Sequence, residues 1–362
     1  MKPIFSFTHL VEARTLYWKY ILSIWLFFVI QTVFAQDIHL SHIHASPLNL
    51  NPAMAGIFNG DLRLICNYKS QWNEFTNGYR SFFASADMKL NRGLSQHDDI
   101  AIGFQAIGDK SGDLDFSVLS GNFTFAYLKS INKEGSHILA IGLNAGLNQH
   151  HLNLSKARTK EQVDPYLLNA EFDSNIQYFD LSGGISWFMP LSVDDFLYLG
   201  ASTFHLNRAR VSFLRSDGDL PDSYFLFRRT TMHGGASLRL NQTLTIKPSF
   251  IYLHQGPHEE INFGTFFSLN QAARSYIKPE YTLHIGAWYR WSLRQGALNR
   301  DALIASIRYD TKSTVYSFSY DINVSDLVQA SRAQGGPELS IIHYLDFFRP
   351  ERNNWKVKCP EF

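Results

Sequence analysis

The feature that most constrains this chain is a two-residue period sustained over segments longer than ordinary globular strands. Leu139, Ile141, Leu143, Ala145 and Leu147 alternate with Ala140, Gly142, Asn144, Gly146 and Asn148. Tyr281, Leu283, Ile285, Ala287, Tyr289 and Trp291 alternate with Thr282, His284, Gly286, Trp288 and Arg290, and Tyr316, Phe318, Tyr320, Ile322 and Val324 with Ser317, Ser319, Asp321 and Asn323. One face of each segment is apolar and the other is mostly polar or small, which is a β-strand between two unlike environments. A soluble sandwich would bury the apolar face, whereas a membrane barrel turns it to lipid and lines a polar lumen with the other.

Length and repetition favour the barrel. Further candidates at 61–69, 79–90, 99–108, 114–128, 178–189, 196–205, 229–240, 243–253, 260–269, 300–310 and 337–345 bring the total to about fourteen. Many exceed the five or six residues of a typical globular strand and match the roughly nine to eleven of a tilted spanning strand. Tyr68, Tyr127, Trp187, Tyr252, Tyr289, Trp291 and Tyr344 close several of them, as interfacial girdles would. The two longest gaps, 149–177 and 206–228, are both odd-to-even connections, while Asn241-Gln242 is a tight even-to-odd turn. This parity suits a barrel with its first strand starting in the periplasm and its long loops outside. A slipped phase near Gly121 predicts a bulge. Composition agrees, with 18% charged and 15% aromatic residues but a mean hydropathy of only −0.16, because two unlike faces are averaged. A net charge of +1 argues against a nucleic-acid binder, and the low charge excludes an acidic disordered chain.

Lys2, Arg14 and Lys19 precede an apolar run from Tyr20 to Val33 that ends in Ala35, the layout of a secretory leader cleaved after Ala35. The expected organisation is a signal peptide at 1–35, a periplasmic lead-in or plug at 36–60, an outer-membrane barrel at 61–345 and a periplasmic tail at 346–362. Cys66 and Cys359 are the two cysteines, and their spacing leaves pairing open.

Catalytic and metal chemistry find little support. His39, His42 and His44 form H-x-x-H-x-H, but no carboxylate or cysteine completes a ligand set. His258-Glu259-Glu260 lacks the second histidine of a zinc helix, and no G-x-S-x-G elbow is present. The expectation is a non-enzyme without metal or cofactor. Ser46 to Gly56 is the strongest functional candidate. Pro47, Asn49, Asn51, Pro52 and Gly56 favour a fixed irregular structure that could plug the barrel mouth against Asp321 and Asn323. The alternative is a lead-in that only positions the first strand.

Several blocks resemble the PorP/SprF family of type IX secretion membrane proteins of Bacteroidota. They are Gln36-Asp37-Ile38-His39-Leu40-Ser41, then Ser46-Pro47-Leu48-Asn49-Leu50-Asn51-Pro52-Ala53-Met54-Ala55-Gly56, and Asn67-Tyr68-Lys69-Ser70-Gln71-Trp72. Ser319 to Ser325, Gly335-Gly336-Pro337-Glu338-Leu339-Ser340 and the ending Cys359-Pro360-Glu361-Phe362 complete the set. His42, His44, Pro337 and Glu361 depart from the family's usual residues. The resemblance implies an outer-membrane barrel, embedded in outer-membrane lipid, that serves the type IX machinery. Its partners would be a secreted adhesin or other type IX cargo, and periplasmic and outer-membrane components of the system. The terminal block with Cys359 and Pro360 would be available to periplasmic partners. A passive porin-like or ligand-transport channel and a barrel enzyme are the competing readings.

Overall fold

The computed structural model describes residues 37, 40–41, 45–71, 78–90, 98–131, 137–156, 172–192, 195–214, 224–270, 281–294, 297–325, 328 and 335–347. The expected leader, His39, His42, His44, and the end of the tail with Cys359 and Pro360 lie outside the described residues. Among the described residues no helix is long and apolar enough to cross a membrane.

Fourteen strands close into one antiparallel barrel. They are β1 (Leu62–Gln71), β2 (Tyr79–Lys89), β3 (Asp99–Ser111), β4 (Phe116–Ser130), β5 (Ile138–His151), β6 (Asn175–Pro190) and β7 (Phe196–Phe204). The circuit continues with β8 (Arg229–Arg239), β9 (Leu244–Gln255), β10 (His258–Asn270), β11 (Thr282–Arg294), β12 (Ala297–Asp310), β13 (Thr314–Asn323) and β14 (Pro337–Leu345). Each strand pairs with its neighbours in sequence, and β1 closes on β14 from Leu62↔Leu345 to Lys69↔Glu338. Closure leaves no unpaired sheet edge. These are the alternating segments of the sequence, with their ends shifted by a few residues.

Burial is inverted relative to a soluble protein. Leu147 and Phe123 are 70% and 69% exposed on the outer face, while Asn67 and Ser319 are fully buried on the inner one. Apolar side chains facing outward are costly in water and favourable in lipid, so the pattern is that of a membrane barrel. Cys66 lies on the outer face of β1, exposed and with a free thiol.

Two local expectations are corrected. Gly121 carries no bulge, because β4 runs in continuous register with both β3 and β5. The apparent phase slip arises because Phe116 and Val118 are apolar on the inward phase before Gly121, Phe116 packing on His150 (5.5 Å) and Phe213 (6.1 Å), whereas Phe123 and Phe125 are apolar on the outward phase after it. The register shift falls instead at Arg290/Trp291, where Asp301 is the extra residue of β12. Tyr344 is no girdle residue either, since it packs on the inner cluster with its ring 5.9 Å from Phe58.

The connections 152–174 and 205–228 both lie at the odd-to-even rim. There they meet through the bridge Phe172↔Leu214 and the bond from Asp173 N to Phe213 O (2.7 Å). The same rim also carries the tight turn at 256–257, so long and short connections share it.

Candidate functional site

The interior on the β1–β8 side is occupied by the chain's own residues before β1. Their local structure follows from the prolines and asparagines. Pro47 opens one helical turn, α1 (Pro47–Leu50), at a position where its missing N–H has no helical partner to lose. Asn51 N closes that turn on Pro47 O (2.9 Å), and its backbone is then extended. Its Oδ1 accepts from Ala53 N (2.9 Å) and caps the 3₁₀ turn Pro52–Met54. Gly56 has φ +74, the left-handed region that glycine enters without penalty, and it redirects the chain toward β1.

Three sets of wall groups hold this segment. Near the odd-to-even end, Ser41 N donates to Glu338 Oε2 (2.6 Å). The Ser41 hydroxyl donates to Asp321 Oδ2 (2.7 Å) and accepts from Lys69 Nζ (2.6 Å). Asp321 Oδ2 also pairs with Lys69 (3.2 Å) and Arg290 (2.9 Å), and Arg290 with Asp301 (2.5 Å). Lys69, Asp321 and Glu338 are buried, where each charge needs such partners.

In the middle, the Asn51 carboxamide reaches three strands. Its Nδ2 faces Ile185 O (3.0 Å), Ser186 Oγ (2.9 Å), Ala201 O (3.2 Å) and His233 Nε2 (3.1 Å). The bond from Ala53 N to Oδ1 fixes which end of the amide faces the wall. Glycines make the room: a Cβ at Gly184 would overlap Asn51 Oδ1, and one at Gly142 would overlap the Pro52–Ala53 peptide.

At the even-to-odd end, Arg63 makes a two-pronged pair with Asp87 (Nε–Oδ1 2.9 Å, Nη2–Oδ2 2.8 Å). Arg63 also donates to Met54 O (3.1 Å), while Asp87 accepts from Gly56 N (2.8 Å). Phe58 lies beneath this pair, its ring 4.8 Å from the Arg63 guanidinium. Leu48, Ala53, Met54, Ala55 and Ile57 pack with wall residues Ala101, Ala126, Leu128, Ala140 and Phe188 in one apolar cluster.

Of the residues singled out in the sequence, Pro47, Asn49, Asn51, Pro52 and Gly56 therefore lie together inside the barrel. Asp321 joins them through Ser41 rather than through 46–56. Asn323 instead accepts from Ser325 N (2.9 Å) and the Ser325 hydroxyl (2.7 Å) in the following turn. Sequence reasoning missed Arg63, Asp87, Lys69, Glu338 and His233. A charge on the inward phase of a strand whose outward phase is apolar was the available signal for the first four. Inward-phase Gly142, Gly146, Gly264 and Gly286, whose small size suggests room inside, do not leave open space. Gly142 faces the segment, Gly146 faces Asn122, and the other two face the Trp288 ring.

Solved structures to which the chain is similar include the toluene transporter TbuX of Ralstonia pickettii (12% identity, 87% of this chain and 96% of that one, TM-score 0.47). Another is the monoaromatic hydrocarbon channel CymD (11% identity, 84% and 94%, TM-score 0.48). A Pseudomonas aeruginosa FadL homologue aligns at 9% identity (83% and 94%, TM-score 0.47). No curated protein matches the chain. The family model for the type IX secretion system membrane protein PorP/SprF matches residues 32–341, most of the sequence, and the chain therefore belongs to the PorP/SprF family.

Proposed function

We propose that this protein is an outer-membrane component of the type IX system, plugged by its own Ser41 and residues 45–58. In this reading it binds a secreted adhesin or other cargo, together with system partners, to support export and surface attachment. The leader is removed after Ala35, the odd-to-even rim faces outside, and the tail after β14 meets periplasmic partners. The observation that carries the reading is the luminal segment, held at Ser41, Asn51 and Gly56 within a barrel of this family. An interior filled in this way suits a protein that binds other proteins better than a passive pore. Among the described residues no group of three or more histidine, cysteine or acidic side chains is placed to hold a metal ion.

The test is deletion of the gene followed by a survey of the cell-surface proteins. Loss of one large exported adhesin with normal uptake of small solutes is the expected result. Intact surface proteins with impaired solute uptake would instead establish a channel.

A further inference from the structure

The wall grips the luminal segment mainly by its main chain. Asn67 Nδ2 donates to Ala45 O (2.8 Å), Arg229 Nη2 to Asn49 O (2.9 Å), Ser202 Oγ to Leu50 O (2.7 Å) and Arg63 to Met54 O (3.1 Å). Lys89 donates to Phe58 O, while Glu338 and Asp87 accept from the N–H groups of Ser41 and Gly56. These contacts come from β1, β2, β7, β8 and β14, and any residue other than proline could supply their partners. Side chains are read at the Ser41 hydroxyl, the Asn51 carboxamide and a weaker contact from Arg229 to Asn49 Oδ1 (3.5 Å), and the buried Leu48, Met54, Ile57 and Phe58 pack against the wall. Donors and acceptors along an irregular path recognise polypeptide main chain, and the apolar wall between them selects the side chains it carries.

We infer that this inner wall is a polypeptide-binding site, whose resident ligand is Ser41 with residues 45–58 and whose second ligand is an irregular segment of an exported protein. The inference rests on the proposed role in export and specifies the site at which cargo would be engaged. The resident segment has the advantage of its tether, because a short link confers an effective concentration on the order of millimolar. A cargo segment would therefore enter only where the resident grip is loosened or where the cargo is itself held nearby. The track reads main chain along its length and demands an amide at one place, so a competing segment needs an asparagine that can enter the Ser186–His233 socket. Apolar side chains at the positions of Leu48, Met54, Ile57 and Phe58 complete its fit to the wall.

The test uses the purified full-length protein and a fluorescent synthetic peptide with the sequence of residues 40–58. In the variant Asn51→Ala the resident segment loses its carboxamide while the wall is unchanged. The peptide is expected to bind this variant saturably and at least about tenfold more tightly than it binds the native protein. A peptide that keeps the serine, asparagine and glycine positions and the apolar residues at 48, 54, 57 and 58, but is otherwise changed, should bind within about threefold of the first. Replacing the peptide's asparagine by aspartate should abolish the gain. A second variant, Arg63→Met, loosens the resident at its other end and should also admit the peptide. Absence of saturable binding to both variants, or binding indifferent to the peptide's asparagine, would overturn the inference. None of these measurements depends on secretion, so a protein that binds peptide yet is dispensable for adhesin export would refute the export reading alone.

Discussion

The two sides of the barrel interior are filled by different means. On the β1–β8 side, Gly142 and Gly184 leave space that a separate stretch of main chain enters, and buried charges secure it at both ends. On the β9–β12 side the wall fills itself. Trp288 lies across Gly264 and Gly286, its ring 4.5 Å from Phe266 in an edge-on contact, and Ile304 completes the cluster. Trp288 Nε1 donates to Ser249 Oγ (3.1 Å), which satisfies the one polar atom of a buried ring. Glycine on the inward face thus means close approach in both places, by backbone on one side and by an aromatic ring on the other. One side can in principle be emptied by moving a segment. The other can be emptied only by unfolding the wall.

This contrast can be broken at several points. The largest effect is expected from Asp87→Ala, which strands the Arg63 guanidinium without its counter-ion and also removes the acceptor for Gly56 N. Losing one partner of a buried pair costs about 3–5 kcal/mol. Denaturant unfolding in detergent should show that loss, and limited proteolysis should show earlier cleavage within 41–58. Trp288→Ala should cost about 3 kcal/mol through the cavity it leaves, while the protease resistance of 41–58 stays native. Earlier cleavage of the segment in that variant would show that the two sides are coupled. Gly184→Ala places a methyl on Asn51 Oδ1, and overpacking of this kind costs about 1–3 kcal/mol. Its effect should shrink when combined with Asn51→Ala, a double-mutant cycle that reports the socket directly.

The smallest effect concerns Asp98, outside the strands. Burial opposes its ionisation, but donation from Tyr127 Oη (2.6 Å), Lys129 Nζ (3.0 Å) and Ser130 N (3.1 Å) holds its pKa below the usual carboxylate range. A lowered folded pKa stabilises above the unfolded value of about 3.9 and is lost as pH falls through the folded one. The stability gap between the native protein and Asp98→Asn should therefore be present at neutral pH and close in acid. A gap that widened in acid would contradict this assignment.

The strands were legible because period and length are local properties, and the order around the barrel follows once neighbours pair in sequence. The luminal segment was legible in composition, since Pro47, Asn51, Pro52 and Gly56 exclude a regular element. Its partners were not. Asn51 meets Ser186, Ala201 and His233 only because three strands bring those distant residues together, and nothing near Asn51 in the chain encodes them. The same limit explains Gly121: Phe116 and Val118 disturb the local pattern on the inward phase, where the Phe116 ring meets His150 and Phe213 from distant parts of the chain. Asp321 was correctly placed on the inner face, yet its contact is Ser41, since the segment extends farther along the lumen than 46–56.

The central claim is that Ser41 and residues 45–58 close the β1–β8 side of a barrel whose other side is filled by its own wall. Single-channel recording in planar bilayers tests it most directly, comparing the native protein with Asp87→Ala. The account predicts no steady conductance from the native protein and stepwise openings from the variant. A stable ohmic pore in the native protein, unchanged by the substitution, would contradict it.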